Sequence, residues 1–294
     1  MAHINVRGVD HYYEWIKEPS SLVKPVIVFI HGWAGSSRYW HSTAQALLAE
    51  FDCLLYDMRG FGRSGGKQAG KSLVESQSTE EPGEVIAELS YELTEYAEDL
   101  AALLDGLQLQ RVYISAHSMG ASVATLFFNR YPERVKKGIL TCSGIFEYDE
   151  KAFAAFYKFG GLVVKFRPKW LAKIPLADKI FIARFLHSPI PKSERQAFLQ
   201  DFIKADYDAA LGTIFTSVSK AQSELMPAEF TKLTVPTLLV AGEYDIIIPP
   251  EMGRQAAALN DNIEFFVIPN TAHFPMLEDS ETYLGRIREF LNDC

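Results

Sequence analysis

Three side chains in this sequence have the types and spacing that nucleophilic catalysis requires: Ser118, Asp245 and His273. An imidazole can accept the proton of a serine hydroxyl and return it to a leaving group, because it titrates near neutral pH. A carboxylate beside that imidazole holds its tautomer and stabilises the protonated form. Together the three residues predict an activated serine nucleophile, provided that the fold brings them to one place.

Ser118 stands at a sharp local break in the sequence. An apolar run at residues 112–115 stops at a cluster of small residues, and helical spacing follows. With Gly120 two positions after the serine and Ala116 two positions before it, the pattern is G-x-S-x-G with alanine in the first position. Such a strand, turn and helix hold the serine at strained backbone angles, where only small neighbours fit. The alternative from these residues alone is a serine N-cap followed by a packing glycine.

The other two residues each follow a late apolar run. Asp245 comes shortly after a run that ends at Gly242, and His273 comes shortly after a run that ends at Ile268. Parallel strands bring their carboxyl ends to the same edge of a sheet, where open sheets bind their ligands. We therefore expect both side chains to lie near Ser118.

Apolar runs alternate with helix-like segments through most of the chain. A hairpin at residues 3–17 predicts an antiparallel sheet edge. The strands predicted after it cover residues 25–30, 53–57, 111–115, 135–141, 235–242 and 263–268. Helix-like segments, among them 39–50 and 280–291, separate these runs, which indicates right-handed crossovers between parallel strands. The predicted fold class is α/β, with a mostly parallel central sheet and helices on both faces.

Two stretches interrupt this alternation. Residues 65–83 are polar and lack apolar periodicity, which predicts a flexible surface insertion. Between residues 145 and 231 the strands stop, and aromatic, helix-like segments punctuated by prolines take over. We therefore divide the chain into a first core part at 1–144, a helical cap at 145–231 and a second core part at 232–294.

Composition argues against several classes of function. The 294 residues are 48% hydrophobic and 22% charged, which is typical of globular proteins. A net charge of -8 argues against a nucleic-acid partner, because phosphates require a basic face. The three cysteines form no C-x-x-C pair, so we expect neither a metal site nor a disulfide framework. No stretch resembles a secretory signal or a membrane span, so the expected location is the cytoplasm.

Further motifs accompany the three candidate residues. They are His31-Gly32-Trp33, Asp57-Met58-Arg59-Gly60-Phe61-Gly62-Arg63-Ser64, Gly242-x-x-Asp245-x-x-x-Pro249 and Ala272-His273-Phe274. With the serine elbow, and in the chain order serine, aspartate, histidine, these motifs resemble the α/β-hydrolase superfamily over almost the whole chain. The resemblance implies the α/β-hydrolase fold with a helical cap insertion. Serine at position 118 distinguishes the chain from the similar haloalkane dehalogenases and epoxide hydrolases, which use aspartate as nucleophile.

The resemblance also implies the remaining parts of the site. The backbone N–H groups of Trp33 and Met119 would form the oxyanion hole, and neither a cofactor nor a metal takes part. In some members of the superfamily the acid follows the strand before the cap. That arrangement would nominate Glu147 or Asp149 in place of Asp245.

Four other polar residues near the motifs have two interpretations each. His31 and His117 flank strand ends, where they could bond loop backbone without touching a substrate. Arg59 and Arg63 could form an anion site, but in the family this loop is usually a structural turn. We favour the structural interpretation for all four residues.

The predicted function is that of a cofactor-free serine hydrolase that cleaves a carboxylic ester through an acyl-enzyme. The elbow does not specify the bond, so hydrolysis of a lactone, a thioester or a carbon–carbon bond, acyl transfer and haloperoxidase-like perhydrolysis are alternatives. A ligand receptor that keeps the pocket but turns over slowly is an alternative from another class. A burst of p-nitrophenol from a short-chain ester, lost in Ser118→Ala, discriminates between enzyme and receptor.

The first part of the cap is basic, although the protein is acidic. Residues Lys151 to Arg184 hold eight basic side chains and one acidic side chain, Asp178, interleaved with aromatic and aliphatic residues. In one interpretation the apolar residues pack onto the core and line the pocket, while the cations are solvated. In the other, a basic amphipathic lid rests on an anionic membrane and passes a lipophilic ester into the pocket. The second interpretation predicts peripheral membrane contact.

Overall fold

The computed structural model describes residues 2–19, 23–66, 89–146 and 148–292. Most of the insertion predicted at 65–83 lies outside the described residues, as do Glu147 and Cys294. The first elements of the chain are β1 (Ala2–Val6), β2 (Val9–Ile16), β3 (Val26–Ile30), a 3-10 helix (Ser37–Trp40), α1 (His41–Ala46) and β4 (Asp52–Tyr56). They are followed by α2 (Leu93–Gly106), β5 (Val112–His117), α3 (Met119–Arg130), a 3-10 turn (Pro132–Arg134) and β6 (Val135–Thr141).

Helices occupy the chain between β6 and the next strand. They are α4 (Glu150–Lys165), a 3-10 helix (Lys169–Lys173), α5 (Ala177–Ile182), a 3-10 turn (Ala183–Phe185), α6 (Lys192–Lys204), α7 (Tyr207–Ser217) and α8 (Lys220–Lys232). The chain then continues through β7 (Thr237–Gly242), α9 (Pro250–Ala257), β8 (Ile263–Ile268), α10 (Pro275–Glu278) and α11 (Ser280–Asn292).

The strands form one sheet of mostly parallel strands. Its order is β1-β2-β4-β3-β5-β6-β7-β8, with β1 and β2 antiparallel at one edge and the remaining neighbours parallel. The central parallel strands β3 and β7 are apolar and mostly buried, as expected of strands that helices cover on both faces. In β7 every residue is buried. The predicted α/β fold class is confirmed, and the carboxyl ends of β5, β7 and β8 meet at one edge of the sheet.

Each face of the sheet has its own apolar core. On one face α2 and α3 contribute Leu104 and Phe128, and on the other the segment around α1 and α11 contributes Trp40 and Phe290. These side chains are almost completely buried. Burial of apolar surface is the main favourable term in folding, so the two layers of helix stabilise the strands that carry the loops.

The helices between β6 and β7 divide into two groups. The helix α4 packs against α7, and α5 packs against α6. The helix α8 instead lies on α3, where the Asn129 amide donates to the carboxylate of Glu229 over 2.7 Å. Among the helices described, none combines the length and apolarity needed to cross a bilayer.

One local prediction differs from the structure. The helix predicted at 39–50 is a 3-10 turn followed by the short α1, because the chain turns at Leu47 and buries both Leu47 and Phe51 before β4.

Asp99 of α2 is buried although it carries a carboxylate. Its carboxylate pairs with Arg59 at 2.9 Å and with Arg7 at 3.0 Å, which compensates the cost of burial.

Candidate active site

The candidate nucleophile, Ser118, lies between β5 and α3 with φ 54° and ψ −124°. A non-glycine residue at positive φ is strained, and it persists only when its surroundings hold it there. The helix that follows lies very close to the end of β3. A Cβ on Gly120 would lie 2.3 Å from the carbonyl oxygen of His31, so only glycine permits this approach.

The structure brings Ser118, His273 and Asp245 into one hydrogen-bonded chain. His273 follows β8, and its Nε2 lies 3.1 Å from the Ser118 Oγ. Asp245 follows β7, and its Oδ2 lies 2.7 Å from the His273 Nδ1. This geometry matches a base that faces a nucleophile on one side and its orienting carboxylate on the other.

Asp245 is held as an ionised group although it is buried. Its other oxygen, Oδ1, accepts the backbone N–H groups of Ile247 at 2.8 Å and Ile248 at 3.1 Å. Burial alone would raise the pKa of Asp245, but His273 and these two backbone donors outweigh burial and hold the pKa below its ordinary value. The carboxylate therefore keeps its charge beside the imidazole at neutral pH.

Trp33 and Met119, the candidate oxyanion donors, both line the space beside Ser118. Met119 is the first residue of α3, and Trp33 follows Gly32 in the loop after β3. A Cβ on Gly32 would lie 3.1 Å from the Ser118 Cβ, which shows how closely this loop approaches the serine. No described residue accepts a hydrogen bond from either N–H group. Within the described residues, neither N–H group is therefore engaged in a hydrogen bond.

A buried network joins this loop to the backbone of His273. His117 Nε2–H donates to the carbonyl of His273 over 2.7 Å, so in the neutral ring Nδ1 must accept. The Tyr39 hydroxyl donates to that Nδ1 over 3.0 Å and itself accepts the backbone N–H of Gly32. Complete burial and the neighbouring His273 hold the pKa of His117 well below its ordinary value. The tautomer of His117 is thus determined by its two partners.

The loop after β4 is held by charge pairs. Asp57 accepts the Arg63 Nε–H over 2.7 Å and the backbone N–H of Ser37 over 2.8 Å. Arg59 is buried and pairs with Asp99. Both arginines therefore have carboxylate partners, which supports the structural-turn interpretation over an anion site.

His31 also has two backbone partners. Its Nδ1–H donates to the Gly32 carbonyl over 2.8 Å, and its Nε2 accepts the N–H of Met58 over 2.9 Å. This histidine connects the loops after β3 and β4, so it is a structural residue.

The profile that describes the alpha/beta hydrolase fold matches residues 25–280. The chain belongs to the alpha/beta hydrolase family. Similar curated proteins include the uncharacterized hydrolase YugF of Bacillus subtilis (strain 168), 23% identical over 294 residues that cover 99% of this chain and 97% of the relative.

Solved structures of similar fold include two enzymes. An esterase from Thermogutta terrifontis superposes with a TM-score of 0.73 at 22% identity, covering 99% of this chain and 98% of that one. An enol-lactonase from Burkholderia xenovorans LB400 superposes with a TM-score of 0.77 at 16% identity, covering 99% and 100%. At these identities the likeness shows the family fold.

A cavity of about 360 Å³ opens beside Ser118 and His273 in this member of the family. Its wall is mostly apolar and comes from both the core loops and the helices between β6 and β7. The side chains that form it include Trp33, Val163, Phe181, Phe185, Phe198 and Ile247. The Trp33 Nε1–H donates to the carbonyl of Ala210 in α7 over 3.0 Å. The loop that holds the candidate oxyanion donor is therefore tied directly to the helices above it.

Of the candidate acids that the structure describes, Asp245 is the one that contacts His273. Asp149 precedes α4, and the His273 Nδ1 is already bonded to Asp245. Glu147 lies outside the described residues. Among the described residues, Asp245 is the carboxylate that contacts the imidazole.

The sulfur and nitrogen atoms of Cys142, His117 and His273 lie within 4.8 Å of one another. All four ring nitrogens already have the hydrogen-bond partners described above. Burial raises the pKa of the Cys142 thiol well above its ordinary value, and the nearby Asp245 raises it further. A metal would require a thiolate and at least one free imidazole nitrogen, so these residues do not suit one.

Sequence reasoning missed the part that Tyr39 takes in this site. The tyrosine lies 78 residues from His117 in a 3-10 turn, and nothing in its spacing signals the contact. His117 was expected to bond loop backbone, and it does so at His273.

Proposed function

We propose that this protein is a serine hydrolase that cleaves carboxylic esters through an acyl-enzyme. The observation that carries the proposal is the hydrogen-bonded chain from Ser118 through His273 to Asp245. Ser118, at one end of this chain, lines an apolar cavity together with Trp33 and Met119. The backbone N–H groups of those two residues have no hydrogen-bond acceptor among the described residues. Nucleophile, base, orienting acid and oxyanion donors are the parts that acyl transfer requires.

In the first half-reaction, the Ser118 Oγ attacks the ester carbonyl as its proton passes to the His273 Nε2. The carbonyl oxygen becomes an oxyanion, which accepts hydrogen bonds from the backbone N–H groups of Met119 and Trp33. Asp245 stabilises the imidazolium without taking its proton. The imidazolium then protonates the leaving alcohol, and an ester of Ser118 remains.

In the second half-reaction, His273 removes a proton from water as the water attacks the serine ester. The same two backbone donors hold the second oxyanion. When it collapses, the carboxylic acid leaves and the proton on the imidazole returns to Ser118. The enzyme is regenerated with no other reagent than water.

The walls of the cavity favour an apolar acyl group. Aromatic side chains from α5 and α6, among them Phe181, Phe198 and Phe202, line the space around the serine. Each methylene buried there gains about 0.8 kcal/mol relative to water. We therefore propose a lipophilic ester as the substrate class.

The experiment that tests the proposal is a burst assay with p-nitrophenyl butyrate. The unmodified protein should release p-nitrophenol and carry an acyl group on Ser118 that mass spectrometry detects. Ser118→Ala and His273→Ala should each lose several orders of magnitude in activity, because triad members act as a unit. Ser122→Ala, which also alters a serine on the cavity wall, is the matched control. Activity within about tenfold of the unmodified protein in Ser118→Ala would refute the mechanism.

The same assay separates the alternatives. Faster product formation with added alcohol or peroxide than with water would indicate acyl transfer or perhydrolysis. Lactone, thioester and carbon–carbon substrates test the other bonds, and the structural likeness to an enol-lactonase makes the lactone the first to try. Binding of a ligand with neither burst nor turnover would indicate a receptor.

A further inference from the structure

The outer surface of α4, α5 and the 3-10 helix between them exposes large apolar side chains. Six of them lie within residues 162–180 and are between 42% and 75% exposed: Leu162, Phe166, Trp170, Ile174, Leu176 and Ile180. The rings of Phe166 and Trp170 pack with centroids 6.2 Å apart, which joins α4 to the 3-10 helix. The 3-10 helix packs in turn on α5. An exposed apolar surface of this kind marks a site of interaction.

Basic side chains alternate with these apolar residues. Four exposed lysines lie in the same span: Lys165, Lys169, Lys173 and Lys179. Within the described residues none of them forms an ion pair with a carboxylate. Asp178, the acidic residue of the span, is buried and pairs with Arg195 of α6 at 3.1 Å. The surface therefore presents positive charge that its own neighbours do not neutralise.

A second cavity opens at one end of this surface. It has a volume of about 440 Å³ and lies between the segment around Lys173 and helix α6. Lys173 and Lys192 both lie on its wall, and neither has a carboxylate partner among the described residues. The paired Arg195 and Asp178 also line it, so an anion there would meet the ammonium groups of Lys173 and Lys192 beside an ion pair that is already neutral.

The exposed surface is the outer side of the wall that encloses the candidate active site. On α4, Val163 lines the cavity beside Ser118, while the preceding Leu162 faces solvent. On α5, Phe181 lines the same cavity, while the preceding Ile180 faces solvent. An apolar molecule that reaches the outer surface is thus one helix thickness from the cavity.

We infer that the surface formed by residues 162–180 docks on an anionic lipid bilayer. The aromatic and aliphatic side chains enter the interface between headgroups and acyl chains, where amphipathic aromatic-rich segments bind. The lysines pair with the phosphates of anionic lipids. A neutral bilayer or an apolar protein surface would not offer this complementary negative charge. Docking does not depend on the proposed hydrolysis, although it would bring a lipid ester to the cavity.

The test is flotation of the full-length protein with two kinds of vesicle, one of phosphatidylcholine alone and one of equal parts phosphatidylcholine and phosphatidylglycerol. We expect at least about tenfold more protein to float with the anionic vesicles, and less at high salt, which screens the charges. Equal flotation with both vesicles, or none with either, would overturn the inference.

A charge variant and a matched control locate the surface. The variant combines Lys165→Gln, Lys169→Gln, Lys173→Gln and Lys179→Gln. The control removes the same number of positive charges from exposed lysines outside this surface: Lys17→Gln, Lys136→Gln, Lys220→Gln and Lys232→Gln. We expect the first to lose about tenfold or more of its flotation, while the control floats like the unmodified protein. Equal loss in both would mean that only net charge matters, and would overturn the assignment to this surface.

The apolar part has its own pair of variants. Phe166→Ser with Trp170→Ser should weaken flotation, whereas Val23→Ser with Leu259→Ser, at exposed apolar positions elsewhere, should not. Light scattering in the absence of lipid tests the alternative occupant, a second copy of the chain. A dimer that Phe166→Ser with Trp170→Ser dissociates, together with no vesicle binding, would overturn the inference. All these variants should keep p-nitrophenyl butyrate hydrolysis, which separates failure of docking from failure of the proposed function.

Discussion

His117 and His273 are joined by a 2.7 Å hydrogen bond from the Nε2–H of the first to the backbone carbonyl of the second. The residue beside the candidate nucleophile therefore holds the backbone of the candidate base, and their rings lie 4.8 Å apart. Because Tyr39 bonds both His117 and Gly32, one buried network positions the base and the loop that carries Trp33.

Tyr39→Phe should destabilise the protein by about 1–3 kcal/mol, because it leaves the Gly32 N–H and the His117 Nδ1 buried without partners. Urea denaturation measures the free energy of unfolding. Tyr113→Phe is the matched control, since the hydroxyl of Tyr113 has no hydrogen-bond partner among the described residues, and its effect should stay within about 0.5 kcal/mol. Equal stability of the two variants would contradict the network.

Asp245→Asn should lower kcat by a factor on the order of 10⁴, because an amide can donate to the imidazole and select the wrong tautomer. Steady-state kinetics on p-nitrophenyl butyrate gives this value. Asp149→Asn should leave kcat nearly unchanged, because the His273 Nδ1 is bonded to Asp245. A large loss in Asp149→Asn with little in Asp245→Asn would move the acid to the earlier strand.

Stability should fall as the pH drops below about 6.5, the ordinary pKa of histidine. Burial lowers the pKa values of His11, His31 and His117 in the folded protein, so the unfolded chain takes up protons first. Each such group then reduces the free energy of unfolding by about 1.4 kcal/mol per pH unit, until the folded form also binds its proton. The lowered pKa values of Asp57 and Asp245 add nothing here, because their contribution is complete above about pH 4.

Urea denaturation between about pH 5.5 and 7.5 checks this prediction. His117→Gln should reduce the slope of stability against pH by up to about 1.4 kcal/mol per unit, whatever its effect on stability at neutral pH. Val23→Ala, a substitution at an exposed position, should keep the slope of the unmodified protein. An unchanged slope in His117→Gln would show that this imidazole does not titrate as its burial implies.

Val163→Phe should reduce the length of acyl chain that the protein accepts, because the added ring occupies part of the cavity beside Ser118. A chain-length series of p-nitrophenyl esters should show lower kcat/KM for long acyl chains and little change for acetate. Leu162→Phe introduces the same ring on the outer side of α4 and should leave the series unchanged. The proposal of a lipophilic substrate fails if the unmodified protein strongly prefers acetate.

Local patterns in the sequence were sufficient for the sheet and for the position of the elbow. Strands such as Val135–Thr141 and Ile263–Ile268 could be predicted to the residue, because their buried positions carry uncharged side chains, while Lys136 and Glu264 lie at exposed positions. The elbow at Ser118 could be located because only small side chains fit around a strained turn.

Contacts between distant segments were decided only by the tertiary structure. Helix periodicity could not predict the buried pair of Arg59 and Asp99. A charged side chain can be buried when a partner from a distant segment neutralises it, and that partner is not part of the local pattern. The contact of Asp245 with His273, the role of Tyr39, and the direction in which Leu162 and Val163 point likewise depend on how separate elements pack. Sequence spacing determines which residues share an element, whereas packing determines which of them meet.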